Sequence, residues 1–155
     1  MELQSNWQRC WLMRCDEMSD VQQFPFVGSR DAFGDTDWVP KLPIELSYRG
    51  RSVSDVGLLD TGSSVSVMPY GMGRELGLVW DELTMVLRLG GNLAAVEARG
   101  VLVNAVVGNF ESVRLVFAWC QTDVVPLLLG RMNFFSEFNV CFYQSQLMFD
   151  VRRKS

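Results

Sequence analysis

The run Leu58-Leu59-Asp60-Thr61-Gly62-Ser63-Ser64 is the most informative stretch of this chain, because an ionisable side chain directly follows an apolar strand pattern. A carboxylate in that position needs hydrogen-bond partners or a chemical role. The three residues after Asp60 offer two hydroxyl groups and an unobstructed backbone N–H, which can hold a carboxylate in place. Ordinary turns also contain Asp-Thr-Gly, since glycine tolerates a positive φ, so the triplet needs support from the rest of the chain.

The residues on either side of this run predict a β-rich domain. Apolar residues alternate with polar ones over 42–48, and a turn signal at 49–51 separates them from a second strand over 52–59 that ends at Asp60. After a short strand at 65–67, Pro69 and a four-residue apolar spacing predict a short helix ending at Gly77.

The downstream half continues the same pattern. Alternation over 83–89 and the turn signal at 90–92 predict a hairpin, followed by strands over 94–99, 101–107 and 113–119. The run 126–130 reads as an apolar strand that ends in glycine, and 133–138 as a short helix with a phenylalanine face. Strands over 140–143 and 146–151, turned at 144–145, close a mostly β domain.

Composition narrows the chemistry. The chain has 155 residues, 48% hydrophobic and 21% charged, which suits one globular domain. It has no histidine, so the Ser-His-Asp, Cys-His and His-ligated zinc hydrolases are excluded. The four cysteines form no Cys-x-x-Cys pair, so we expect thiols and no metal site.

The net charge of −4 argues against nucleic acid or an anionic membrane as the main partner. No apolar run is long enough to span a bilayer, and no signal-peptide pattern is present, so we expect a cytoplasmic protein.

Three regions are expected along the chain. Residues 1–36 read as an N-terminal arm or pro-segment, with a short helix near 7–15 and a loop over 19–37. Residues 37–151 form the β domain, and 152–155 a short basic tail. The composition changes before Trp38, and this motivates the hypothesis that the chain processes itself near that junction.

A second motif supports the first. Leu128-Leu129-Gly130 repeats the apolar-apolar element well downstream and is followed by Arg131 and the phenylalanine-rich helix. The order of Asp-Thr-Gly-Ser, short helix, glycine-tipped hairpin and Leu-Leu-Gly-Arg resembles the retropepsin-like aspartic proteases, the cellular and bacterial forms in particular. The resemblance covers roughly residues 38–150.

The resemblance implies a double-ψ, closed β fold of the acid-protease type and an active site shared by a homodimer. Asp60 would be the catalytic residue, Thr61 would cross-link the two loops, and the Gly62 N–H would hold a carboxylate oxygen. The supporting residues are Ser63, Leu128, Leu129, Gly130 and Arg131. The flap over a polypeptide substrate would consist of Leu89, Gly90, Gly91, Asn92, Leu93 and Ala94, although a simple β-turn explains these six residues nearly as well.

The implied mechanism needs no cofactor and no metal. Two adjacent carboxylates cannot both ionise cheaply, so the two Asp60 side chains would share a proton and activate a water molecule. The chain has a single Asp-Thr-Gly, which agrees with one carboxylate per protomer. The alternative is a catalytically silent retropepsin-like domain used for dimerisation or protein binding. An actin-like phosphate loop is disfavoured, because no glycine-rich phosphate cradle precedes a helix.

One position departs from the viral pattern. Viral members have an aspartate at the position of Ser64, and this aspartate pairs with the arginine that corresponds to Arg131. Here Arg131 lacks that partner, and Asn133 and Glu137 are candidate replacements. The viral style of dimer bracing is therefore in doubt.

Overall fold

The structure is a computed structural model that describes residues 20–154. This part of the chain is mostly β, as predicted, with two short helices, α1 (Tyr70–Glu75) and α2 (Phe134–Glu137). The strands are β1 (Val21–Pro25), β2 (Val27–Arg30), β3 (Thr36–Val39), β4 (Lys41–Tyr48), β5 (Arg51–Leu59), β6 (Ser66–Met68), β7 (Val86–Leu87), β8 (Ala98–Val107), β9 (Val113–Cys120), β10 (Leu128–Leu129), β11 (Phe138–Tyr143) and β12 (Met148–Arg153).

Three sheets organise the described residues. A seven-stranded sheet has the order β4-β5-β10-β6-β9-β8-β7, and an additional pairing between β4 and β8 bends it into a closed structure. The terminal strands form a three-stranded antiparallel sheet with the order β1-β12-β11. The third sheet contains only β2 and β3. The mostly β, closed architecture that the sequence predicts is confirmed.

The main core lies inside the closed sheet. Leu42, Ile44 and Leu46 are buried in β4, which confirms the predicted alternation. The largest fully buried side chains are aromatic and come from the second half of the chain: Phe117, Trp119, Phe134, Phe138 and Phe149. The face of α2 that was predicted to be apolar therefore belongs to the core, since Phe134 stacks on Phe138 with ring centroids 5.0 Å apart.

Helix α1 lies where the sequence places it, between Pro69 as N-cap and Gly77. Gly77 has a φ of +82°, a conformation that glycine adopts without strain and that ends the helix. Gly73 allows the helix to approach β9 closely, because a Cβ atom there would lie 2.3 Å from the indole nitrogen of Trp119. That indole N–H donates to the Tyr70 carbonyl at 3.0 Å, which ties the helix to the core.

The predicted loop over 19–37 is wrong for most of its length. Residues 21–25 form β1, which pairs antiparallel with β12 from Val21↔Arg152 to Pro25↔Met148, and β2 and β3 form a hairpin. Arg152 and Arg153 accordingly extend β12 and do not form a tail. The helix predicted near 7–15 lies outside the described residues. Removal of residues 1–36 as a pro-segment stays a prediction, and it would deprive β12 of its β1 partner.

Smaller corrections concern three strands. The strand predicted over 83–89 is restricted to β7, and the two strands predicted over 94–99 and 101–107 are one strand, β8. The predicted turn at 144–145 is a 3-10 turn, Gln144–Gln146, followed by Leu147 with a φ of 53°. These differences change the length or number of strands and the type of one turn, and they leave the order of the elements along the chain unchanged.

Cys120 is a free, fully buried thiol, which agrees with the expectation of thiols. Burial raises its pKa to about 11, because the thiolate form would lose its hydration, and the thiol therefore stays protonated at neutral pH. Within residues 20–154, no helix is long and apolar enough to cross a bilayer.

Candidate active site

Asp60 lies where two strands run side by side. β5 and β10 pair in parallel, with Leu58 beside Leu128 and Leu59 beside Leu129. The Asp60 N–H then donates to the Leu129 carbonyl at 3.0 Å, so the ladder continues to the carboxylate-bearing residue itself. The two apolar-apolar motifs of the sequence are thus direct neighbours.

The loop after Asp60 returns along the other side of the downstream motif. Arg131 N–H donates to the Ser63 carbonyl and Met132 N–H to the Ser64 carbonyl, both at 2.9 Å, and Ser66 N–H donates to the Met132 carbonyl at 3.1 Å. Residues 128–132 therefore lie between β5 and the returning loop. This crossing fixes the Asp60 loop through backbone hydrogen bonds on both sides.

Gly130 lies at the centre of this crossing. A Cβ atom on Gly130 would lie 2.4 Å from the Val65 carbonyl oxygen and 3.0 Å from that of Ser63, so only glycine fits. Its N–H donates to the Ser66 Oγ at 3.0 Å. Ser66 is fully buried and is the one buried polar side chain among the described residues, so its hydroxyl serves this contact inside the crossing.

Replacing Ser66 with Ala should destabilise the domain, because the buried Gly130 N–H loses its acceptor. We expect the free energy of unfolding to fall by about 1–3 kcal/mol. Chemical denaturation followed by tryptophan fluorescence measures this change. Ser64→Ala is the matched control, since Ser64 is exposed in the same loop and its replacement should alter stability by less than about 0.5 kcal/mol. Equal effects of the two changes would contradict this role of Ser66.

The Asp60 carboxylate is held from its own loop. Gly62 N–H donates to Asp60 Oδ1 at 2.9 Å, the contact that the resemblance implies, and Ser63 N–H donates to the Asp60 carbonyl at 3.2 Å. Asp60 is half-buried, while Thr61 and Gly62 are exposed. The tip of the loop therefore presents the carboxylate and the Thr61 hydroxyl outward. The Ser63 hydroxyl donates to the Val65 carbonyl at 2.7 Å and so braces the loop.

Arg131 and its suggested partners are arranged differently from the expectation. Arg131 is exposed, and its backbone N–H secures the loop as described above. Asn133 binds β9 and not Arg131: its Oδ1 accepts the Val116 N–H at 2.9 Å, and its Nδ2 donates to the Arg114 carbonyl at 3.0 Å. The suggestion that Asn133 replaces the missing viral aspartate is therefore wrong. Asn133 fastens the start of α2 to the neighbouring strand.

The expected flap residues lie in a ten-residue loop, 88–97, between β7 and β8. The two strands pair through Val86↔Arg99 and Leu87↔Ala98 only. Gly91–Leu93 form a 3-10 turn, and Gly91 has a φ of +58°. Leu89 and Leu93 are half-buried, whereas Gly90, Asn92 and Ala94 are exposed. The sequence correctly places a glycine-containing connection here but predicts a tighter hairpin than the one observed.

The apolar side chains of this loop cover a second apolar cluster. Its buried members are Val67, Ala98, Ala118, Cys120 and Val125, and the half-buried residues packed on it are Val65, Leu87, Leu89, Leu93, Val96 and Leu128. Successive strand residues point to opposite faces, so Leu58 and Leu128 share a face, and Asp60 continues on it. The loop 88–97 therefore packs against the face of the sheet that carries Asp60.

Sequence reasoning missed Ser66 and did not foresee the contacts of Asn133 with β9. Neither has an unusual sequence signal, since a single serine in a strand and a single asparagine before a helix occur in many chains. Gly57 is a third: a Cβ atom there would lie 2.8 Å from the Leu129 side chain, so this glycine makes room for the downstream motif. A glycine inside an apolar strand is a signal of close approach that could have identified it.

Comparisons with known proteins agree with this geometry. A family model described as aspartyl protease matches residues 44–133. A solved structure of a retropepsin-like aspartic protease from Rickettsia conorii is similar to the chain, with a TM-score of 0.55 and 16% sequence identity over 86% of this chain and 92% of the other. At that identity the similarity concerns the fold alone. A search of curated proteins finds no match.

Proposed function

The chain belongs to the aspartyl protease family and has a retropepsin-like fold, and from these findings we propose that it is an aspartic endopeptidase. The observation that carries the proposal is the Asp60 loop: a half-buried carboxylate held by the Gly62 N–H, with the Thr61 hydroxyl exposed beside it. One protomer supplies one such carboxylate, so the active site forms when two copies bring their Asp60 loops together.

In the proposed mechanism, a water molecule lies between the two Asp60 carboxylates, which share one proton. The ionised carboxylate takes a proton from the water as the water attacks the peptide carbonyl. The protonated carboxyl donates a hydrogen bond to the carbonyl oxygen as charge develops there. The Gly62 N–H keeps the carboxylate oriented, and the Thr61 hydroxyl joins the two loops at the dimer axis. The reaction requires no covalent intermediate.

The substrate would bind as an extended polypeptide between the Asp60 loops and the loop 88–97. An extended strand can satisfy its backbone groups against both surfaces. Leu89 and Leu93 pack on the second apolar cluster in the single protomer. In the proposed function the loop lifts from this cluster to admit a peptide, and it then closes over the peptide and excludes water. In this proposal, residues 89–94 form the flap.

The proposal is tested by cleavage of denatured proteins in the acid range and at neutral pH, with products identified by mass spectrometry. We expect cleavage, with a specific activity that rises with protein concentration until all of the protein is dimeric. A peptide that mimics the tetrahedral intermediate should inhibit this cleavage.

Amide hydrogen exchange in residues 88–97 should slow when that mimic binds. A stable dimer that cleaves nothing and does not bind the mimic would favour the alternative, a silent domain for dimerisation or protein binding.

A further inference from the structure

The hairpin of β2 and β3 stands apart from the rest of the described chain. Its ladder runs from Val27↔Val39 to Arg30↔Thr36, and its two strands pair with no other described strand. The Asp31 side chain holds the tip, because its Oδ1 accepts the N–H groups of Phe33 and Asp35, both at 2.9 Å. The hairpin is thus an ordered projection with a defined tip.

The base of this hairpin lies level with Asp60. β4 and β5 are antiparallel, so the start of β4 adjoins the end of β5, where Lys41 pairs with Leu58. The Leu59 N–H donates to the Pro40 carbonyl at 3.0 Å, one residue before Asp60. Pro40 directly follows β3, so the hairpin leaves the domain at the end of the sheet that presents the catalytic loop. On its other side Phe26 is buried and anchors β2 to the core.

The hairpin exposes three large apolar side chains. Phe33 at the tip is 91% exposed, Trp38 is 44% exposed and Val27 is 41% exposed. Exposed single apolar residues are common, but Phe33 and Trp38 are large aromatic side chains on one projecting hairpin, and this favours their burial against another surface. Because the hairpin leaves the domain at the Asp60 end of the sheet, a surface that covers it would lie beyond that end.

The binding partner of the hairpin is a second copy of the chain, because of where the hairpin lies. Under the proposed function, the Asp60 side chains of the two protomers come within hydrogen-bonding reach of each other. The surface of the partner protomer therefore lies next to the point where the hairpin leaves the domain. Four residues of β3 alone extend about 13 Å, which is farther than the gap between two carboxylates that share a proton. We infer that the hairpin 27–39 of each protomer docks on the other protomer and buries Phe33 and Trp38 there.

Charge indicates which part of the partner receives the hairpin. The segment 27–39 contains three aspartates and one arginine, so two hairpins repel each other. Each hairpin therefore lies on the body of the partner and not against the partner's hairpin. The inference rests on the proposed function, since it takes the position of the second copy from the shared active site.

A photo-crosslinking experiment tests the contact directly. Phe33 is replaced by p-benzoylphenylalanine in the full chain, and equal amounts of ordinary and ¹⁵N-labelled protein are mixed before illumination. We expect crosslinks between differently labelled copies, mapped by mass spectrometry to residues of the partner outside 27–39. Crosslinks confined to the same chain, or restricted to hairpin against hairpin, would overturn the inference, as would the absence of any crosslink between copies.

Sedimentation measurements of Phe33→Ser give an independent test, with Val79→Ser as a control that removes a 50% exposed apolar side chain outside the hairpin. We expect Phe33→Ser to weaken dimerisation by about tenfold or more and Val79→Ser to leave it unchanged. Normal dimerisation and cleavage by Phe33→Ser would reject the docking and leave the proposed function intact. An unmodified chain that is monomeric and inactive at every concentration would reject both.

Discussion

Replacing Asp60 with Asn should lower kcat/KM for peptide cleavage by about 10³-fold or more while leaving the fold intact. The amide cannot accept a proton from the attacking water, so both active-site positions of the dimer lose the acid–base function. Its side-chain oxygen can still accept the Gly62 N–H that Asp60 Oδ1 accepts at 2.9 Å. Peptide cleavage measured together with circular dichroism and the dimer dissociation constant separates the loss of chemistry from a loss of structure.

Asp55→Asn is the matched control for that experiment. Asp55 is an exposed carboxylate on the same strand, β5, and its Oδ1 accepts a nearby backbone N–H, that of Val56, at 2.7 Å. The same chemical change there should leave cleavage unaltered.

Mixing unmodified and Asp60→Asn chains gives a second test, because activity should then fall with the square of the fraction of unmodified chains. Unchanged cleavage by Asp60→Asn, or a linear decrease on mixing, would reject a site shared by two Asp60 residues.

The two runs beside Asp60 were recognisable as strands from the sequence, although their parallel pairing was not predicted. Residues 58–63 and 128–130 each read as a buried strand that ends in glycine or in the Asp-Thr-Gly loop, and the structure pairs them in parallel. The pattern is local, because an apolar pair needs burial and the following glycine allows close approach. The antiparallel pairing of β4 and β5 could be predicted from the sequence, since a short turn signal separates two strands.

The N-terminal strands were not predictable in the same way. β1 contains Gln22 and Gln23 and has no period of its own, yet it pairs with β12 at the other end of the chain. Such a pairing depends on a surface that exists only once β11 and β12 have folded, so no local pattern in 21–25 encodes it. The Gln23 side chain also donates to Asp150 Oδ1 at 2.9 Å, a contact across 127 residues that periodicity cannot reveal.

The loop 88–97 shows a different limit. Alternation over 83–89 predicts a longer strand, but Leu89 and Leu93 pack on the second apolar cluster instead of extending the ladder. Tertiary burial thus overrides the local preference. The single Asp-Thr-Gly, by contrast, could be counted from the sequence, and under the proposed function that count calls for a second copy to share the proton.

Replacing Gly130 with Ala should have the largest effect on stability. The new methyl carbon would lie 2.4 Å from the Val65 carbonyl oxygen and 2.6 Å from its carbon, both backbone atoms that cannot rotate away. The crossing must then open, and it loses the Gly130 N–H contact to Ser66 and the hydrogen bonds of the returning loop. We expect the free energy of unfolding to fall by about 3 kcal/mol or more, a large share of the stability of a domain this size.

Gly90→Ala provides the control, since a Cβ atom there meets nothing within 4 Å and the residue has an ordinary negative φ of −106°. This change should be close to neutral, because an alanine at a compatible position restricts mainly the unfolded chain. The φ of Gly130 is likewise outside the left-handed region, so the contrast isolates steric contact from backbone strain. Urea denaturation of both variants measures the difference. Similar stabilities would show that the crossing can relax around a methyl group and that the backbone hydrogen bonds alone hold Asp60 in place.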